Sequence, residues 1–148
     1  MGIVLGAQVR SASIVADYES DESVRYGACE LAWPMKGVGA RAHAEREIRT
    51  ALAGPVAEQI YKCESEIRIQ RESSVDWIYA STYAETFLAN KSKRTEFLFS
   101  VAEEIRDLLH KDEVWAAVAS TADELLAHDE LDGETLSESV QFWLRRLN

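Results

Sequence analysis

The chain has 148 residues, 47% of them hydrophobic, and a formal net charge of -10. That size supports one ordinary hydrophobic core without disulfide staples, and Cys29 and Cys63, far apart and without metal-ligand spacing, read as buried or partly buried thiols of a reducing compartment. The acidic balance argues against nucleic acid and anionic lipid as partners, and no apolar run of about 18 residues offers a membrane segment, so the expectation is a cytoplasmic protein.

Met1 to Leu5 is apolar and uncapped, and reads as the last turn of a helix whose body lies upstream. Val9 to Ala16 and Val24 to Leu31 are rich in Val, Ile, Ser and Tyr around the acidic segment Asp17 to Ser23, which predicts a small β-hairpin. After the connector Trp33 to Gly39, the segment from Ala40 to about Lys62 predicts a spine helix, because Ile48, Leu52, Val56 and Ile60 recur at every fourth position. Gly54 and Pro55 interrupt it, so a kink or the close approach of another element is expected there.

Glu64 to Glu72 is polar and fits a loop or a helical continuation equally. Ser73 and Asp76 have the spacing of a capping box, opening a helix from about Ser74 to Ala89. The next helix runs from Lys93 to His110 with Phe97, Val101, Ile105 and Leu108 on one face. Asp112 caps a further helix whose expected buried side is Val114, Trp115, Val118, Ala122, Leu125 and Leu126. Asp129 to Glu134 reads as an acidic loop, and the box Thr135 and Glu138 starts a last helix burying Leu136, Val140, Trp143 and Leu147. The fold class is α+β, mainly α: a small N-terminal β-hairpin followed by a bundle of about five helices in one domain, residues 1–148.

Chemistry-bearing motifs are sparse. His43, His110 and His128 include no pair three to five apart, so no helix face grips zinc through two histidines. His110 and His128 fall at predicted helix ends. His43 precedes Glu47 by four and reads as a solvated pair or a weak acid/base couple. There is no G-x-S-x-G elbow, and Gly37-Val38-Gly39 lacks the third glycine of a phosphate loop. The four tryptophans read as core or interface packing.

The segment L-A-G-P-V-A-E-Q-I-Y, Leu52 to Tyr61, resembles the L-x-G-x-x-A-E-x-x-(F/Y) helix in the peptidase domain of FtsH-type ATP-dependent zinc proteases and their small stand-alone bacterial relatives. V-L-G-A-Q-V-R-S-A-S-I-V, Val4 to Val15, is similar to the strand region following that family's zinc-binding helix. S-S-V-D-W-I-Y-A-S, Ser73 to Ser81, resembles the segment bearing its third zinc ligand, and Ala122 to Ser137 resembles its closing helices.

The resemblance implies a zinc metallopeptidase-like domain with Asp76 as a metal ligand and Glu58 orienting a ligand from outside the coordination sphere. It also implies a polypeptide substrate in the complete protein, and an Arg10 to Val15 strand whose edge receives an extended substrate; read from the residues alone, that strand is an exposed edge that pairs with a second copy. The family's H-E-x-x-H helix, which supplies two histidines and the water-activating glutamate, is not in this sequence, and Glu72-Ser73-Ser74 replaces the usual glycine before the ligand. The chain as written is therefore expected to be inactive as a protease and to hold no zinc of its own. The alternative is a non-catalytic helical interaction module that forms a homo-oligomer.

Overall fold

The computed structural model describes residues 1–17, 25–34, 36–63 and 74–145. Its elements in order are β1 (Gln8–Asp17), β2 (Arg25–Ala32), α1 (Ala40–Tyr61), α2 (Val75–Glu85), α3 (Lys91–Leu109), α4 (Asp112–His128), β3 (Glu130–Asp132) and α5 (Gly133–Leu144). The protein is mainly helical with a small antiparallel sheet, as the sequence predicts. Most of the expected turn Asp17 to Ser23, the segment Glu64 to Glu72, Ser73 and Leu147 lie outside the described residues. Two compact units form: α1, α2 and α3 in residues 35–110, and the strands with α4 and α5 in residues 2–34 and 111–148.

In the three-helix unit, α1 buries Ala44, Ile48, Leu52, Val56 and Gln59. Ile60 is only half-buried. The helical period explains the exchange: at about 100° per residue, Ile60 stands about 120° around the helix from Ile48, whereas Gln59 stands only about 20° from it. A polar residue thus occupies the last inward position, and its Oε1 is buried without a hydrogen-bond partner among the described residues. The helix runs without a break through Pro55, and nothing outside the local helix lies within 4 Å of where a Cβ on Gly54 would stand. The close approach expected there is not made.

Ser74, rather than Ser73, is the N-cap of α2, its hydroxyl accepting from the Trp77 amide at 3.4 Å. The helix ends at Glu85, short of Ala89, where the Thr86 hydroxyl donates to the Tyr83 carbonyl at 2.7 Å and Arg94 donates to the Leu88 carbonyl at 2.9 Å. These bonds satisfy carbonyls that a longer helix would have engaged. Asn90 caps α3, whose inward face is Leu98, Val101, Ala102, Ile105 and Leu109. Trp77 packs on Phe99 with centroids 5.3 Å apart, and Arg49 reaches Glu104 at 2.8 Å, so aromatic and ionic contacts fix α2 and α1 against α3.

The other unit is built on the sheet order β2-β1-β3. Gly2 to Ala7 forms a turn in which the Ala7 amide donates to the Gly2 carbonyl, the Gly6 amide donates to the Ile3 carbonyl, and Gly6 has φ +85°. Along β1 the register with β2 shifts between Val9 and Ser11, which makes Arg10 an extra residue. That bulge lets Val9 and Ala12, three apart, both face the core formed with Leu131 and Leu136, and it accounts for the imperfect alternation in the sequence.

The expected acidic loop is instead β3, with Leu131 buried between exposed Glu130 and Asp132. It pairs with Ser11 to Ser13 of β1, and the Ile14 amide donates to the Asp129 carbonyl at 2.9 Å. The β1 edge proposed for substrate or partner pairing is therefore already occupied over these residues, and β1 is the central strand.

Asp132, not Thr135, caps α5: its carboxylate accepts from the Glu134 and Thr135 amides, both at 2.9 Å. Asp112 is the first residue of α4 and makes no cap, Lys111 being the N-cap. Of the expected inward side of α4, Val114 is buried and Leu125 packs on the core, whereas Val118 and Leu126 are exposed and Ala117 faces inward. Leu126 stands about 100° around the helix from Leu125 and points outward, whereas Val118, about 20° from Leu125, lies at the rim of the buried face.

Candidate functional site

Asp76 is the second residue of α2, in the turn where exposed amide groups and the helix dipole favour a carboxylate. It is exposed, and among the described residues its carboxylate makes no hydrogen bond or ion pair. Partial desolvation raises its pKa. Glu58 lies outside the buried stripe of α1 and pairs with Lys62 one turn on. Among the described residues no group of three or more His, Cys, Asp or Glu side chains is placed to hold a metal ion, so Asp76 and Glu58 join no such group.

A polar cluster forms between α1 and α2. His43 and Glu47 are four apart on α1, with His43 Nε2 3.8 Å from Glu47 Oε1 and side-chain exposures of 26% and 17%. Four-residue spacing also places Tyr79 and Tyr83 together on α2. The Tyr79 hydroxyl lies 3.3 Å from Glu47 Oε2 and 3.3 Å from the Tyr83 hydroxyl, and the His43 ring stands edge-on to Tyr83 with centroids 6.2 Å apart.

The hydroxyl contact with Tyr83, desolvation and the Glu47 charge all hold the Tyr79 phenol well above its usual pKa. His43 is not a solvated surface histidine: its Nδ1 is buried and has no hydrogen-bond partner among the described residues. The sequence reading found the histidine–glutamate pair and missed both tyrosines. Their four-residue spacing was the available signal, and it gained meaning only from the packing of α2 on α1.

His110 is the C-cap of α3 and His128 ends α4, as their positions predict. Cys29 and Cys63 are free and exposed rather than buried, the first on the outer strand β2 and the second just beyond α1. Enough water is lost around the Cys29 thiol to raise its pKa. No described helix is long and apolar enough to cross a membrane. Compared with family models, with curated proteins and with solved structures, the chain matches none.

Proposed function

We propose that the chain carries the substrate-side elements of a zinc metallopeptidase of FtsH type, with Asp76 as the carboxylate ligand. The observation that carries this reading is the state of Asp76: an exposed, unpaired and partly desolvated carboxylate in the first turn of a helix packed on the L-A-G-P-V-A-E-Q-I-Y spine.

Catalytic zinc needs three protein ligands and an open position. Asp76 supplies one, and the H-E-x-x-H ligands and base are not in this sequence, so this chain alone does not fit the metal and acts as no protease by itself. In the complete enzyme the substrate is a polypeptide. Glu58, exposed and paired with Lys62, contributes helix solvation in this reading rather than ligand orientation.

The test is the zinc content of a form extended at its N-terminus by an H-E-x-x-H segment, with and without Asp76→Ala. One zinc per chain, lost in the variant, is the expected result. No zinc in the protein with an H-E-x-x-H segment present overturns the reading.

The second reading, a non-catalytic interaction module in the cytoplasm that forms a homo-oligomer, is favoured by the exposed apolar side chains of α2. Val75 and Ile78 are 79% and 53% exposed. A concentration-dependent mass by analytical ultracentrifugation, abolished by Val75→Lys with Ile78→Lys, supports it.

A further inference from the structure

β2 is an outer strand of the sheet, and the ladder fixes where its backbone groups point. The Ile14 amide donates to the Asp129 carbonyl on the β3 side, so by antiparallel alternation Ala12 also points toward β3, while Ser11 and Ser13 point toward β2. Ser11 and Ser13 stand opposite Glu30 and Ala28, which therefore direct their amides and carbonyls to β1. Cys29 and Leu31 turn theirs the other way, off the sheet. Among the described residues no backbone bond outside the sheet reaches Arg25–Ala32, so these outward groups have no backbone partner.

Sheet edges are ordinarily guarded by lysine, proline, a bulge on the edge strand or a covering element. Residues 27–32 hold no lysine or proline, and the extra residue at each register shift lies on β1 rather than on β2. Ala28, Cys29 and Glu30 are exposed. Cys29 pairs with Ala12 and so shares the face that carries the core, yet it is exposed, which means that the core side of the sheet is left uncovered at this edge.

The edge is complementary to itself. Two antiparallel copies of one strand meet about a two-fold axis, so one residue stands opposite its own copy. Centred on Glu30, such a pairing would set two carboxylates against each other, which is destabilising. Centred on Cys29, it sets Glu30 opposite Ala28 and Leu31 opposite Gly27, so neither like charges nor two bulky side chains meet. The outward amide and carbonyl of Cys29 then exchange both bonds with those of Cys29 of the second copy.

We propose that β2 pairs edge to edge with β2 of a second copy of this chain, antiparallel and centred on Cys29, so that two three-stranded sheets become one continuous sheet. The uncovered core face continues across the axis, with Leu31 of each copy lying over Gly27 of the other. A single strand edge buries less than the roughly 1,200 Å² of a standard stable interface, so the dimer is concentration-dependent rather than permanent. The interface rests neither on the peptidase reading nor on the exposed side chains of α2.

Sedimentation over a wide range of concentrations tests it: the mass should rise from 16.6 kDa toward twice that value. Cys29→Pro removes an outward amide and leaves the ladder to β1 intact, so it should abolish the rise while circular dichroism shows a folded protein. Cys29→Lys, which sets two ammonium groups opposite each other in the paired form, should abolish it too and serves where the proline variant does not fold. With Cys63→Ser, a short bismaleimide should join Cys29 of two chains, because residues that exchange both bonds have Cα atoms about 5.5 Å apart. With Cys29→Ser, the exposed Cys63 should give only chance cross-links. A monomer at every concentration overturns the proposal. So does a dimer that survives both Cys29→Pro and Cys29→Lys, or one that Val75→Lys with Ile78→Lys abolishes.

Discussion

Gly133, the first residue of α5, stands so close to the Val9 carbonyl of β1 that a Cβ on the glycine would overlap the oxygen. The obstacle is backbone on a central strand, which cannot swing aside as a flexible side chain can. Leu136, one turn further along α5, reaches the core beside Val9 and Ala12 because the helix starts this near the sheet.

Gly133→Ala should therefore cost at least about 3 kcal/mol, since even ordinary overpacking of a core costs about 1–3 kcal/mol. Urea unfolding followed by circular dichroism measures it. A variant with an unchanged midpoint would show that the helix can back away from the strand freely.

Gly54 offers the opposite case. It sits inside α1, outside the positive-φ region, with open space where a Cβ would go. Alanine there gains about 0.5–1 kcal/mol by restricting the unfolded chain, but its Cβ meets the Pro55 ring, which disfavours helical backbone at the residue before a proline, so the net stabilisation should stay below about 0.5 kcal/mol. A rise in the thermal midpoint is the expected readout, and a fall would place an unseen constraint on the helix beside Pro55.

Acid should weaken the start of α5. Bonds from the Thr135 amide and hydroxyl, and from the Glu134 amide, hold the Asp132 carboxyl below its usual pKa. A carboxylate with a depressed folded pKa contributes stability that is fully present above its unfolded pKa, about 3.9, and is lost as pH falls through the folded value. Asp132→Asn keeps a capping side chain but no titrating charge. Thermal midpoints of the two proteins should differ at pH 7, begin to converge near about pH 4 and meet only below the lower folded pKa of Asp132. A gap that persists at the lowest pH would mean that the charge of Asp132 is not what stabilises the cap.

The long periodic segments carry most of what the sequence determined about this protein. Ile48, Leu52 and Val56 place the buried face of α1 because apolar spacing and helical period act within one element, and the hairpin and the ends of α3 follow from equally local signals. Caps were harder to place. Ser73 and Ser74 are adjacent, as are Lys111 and Asp112, and one residue's displacement changes which side chain reaches an amide.

Tertiary structure alone decided the rest. Leu131 between two acids is too short a pattern to signal a strand until β1 offers it an edge, and once paired it turns the supposed substrate edge into the middle of a sheet. The pair His43 and Glu47 and the pair Tyr79 and Tyr83 are each legible as neighbours on a helix. Their meeting depends on the packing of α2 against α1 across 32 positions of sequence, a contact set by burial of Trp77, Ala80 and Ala84 rather than by any property of the four polar residues themselves.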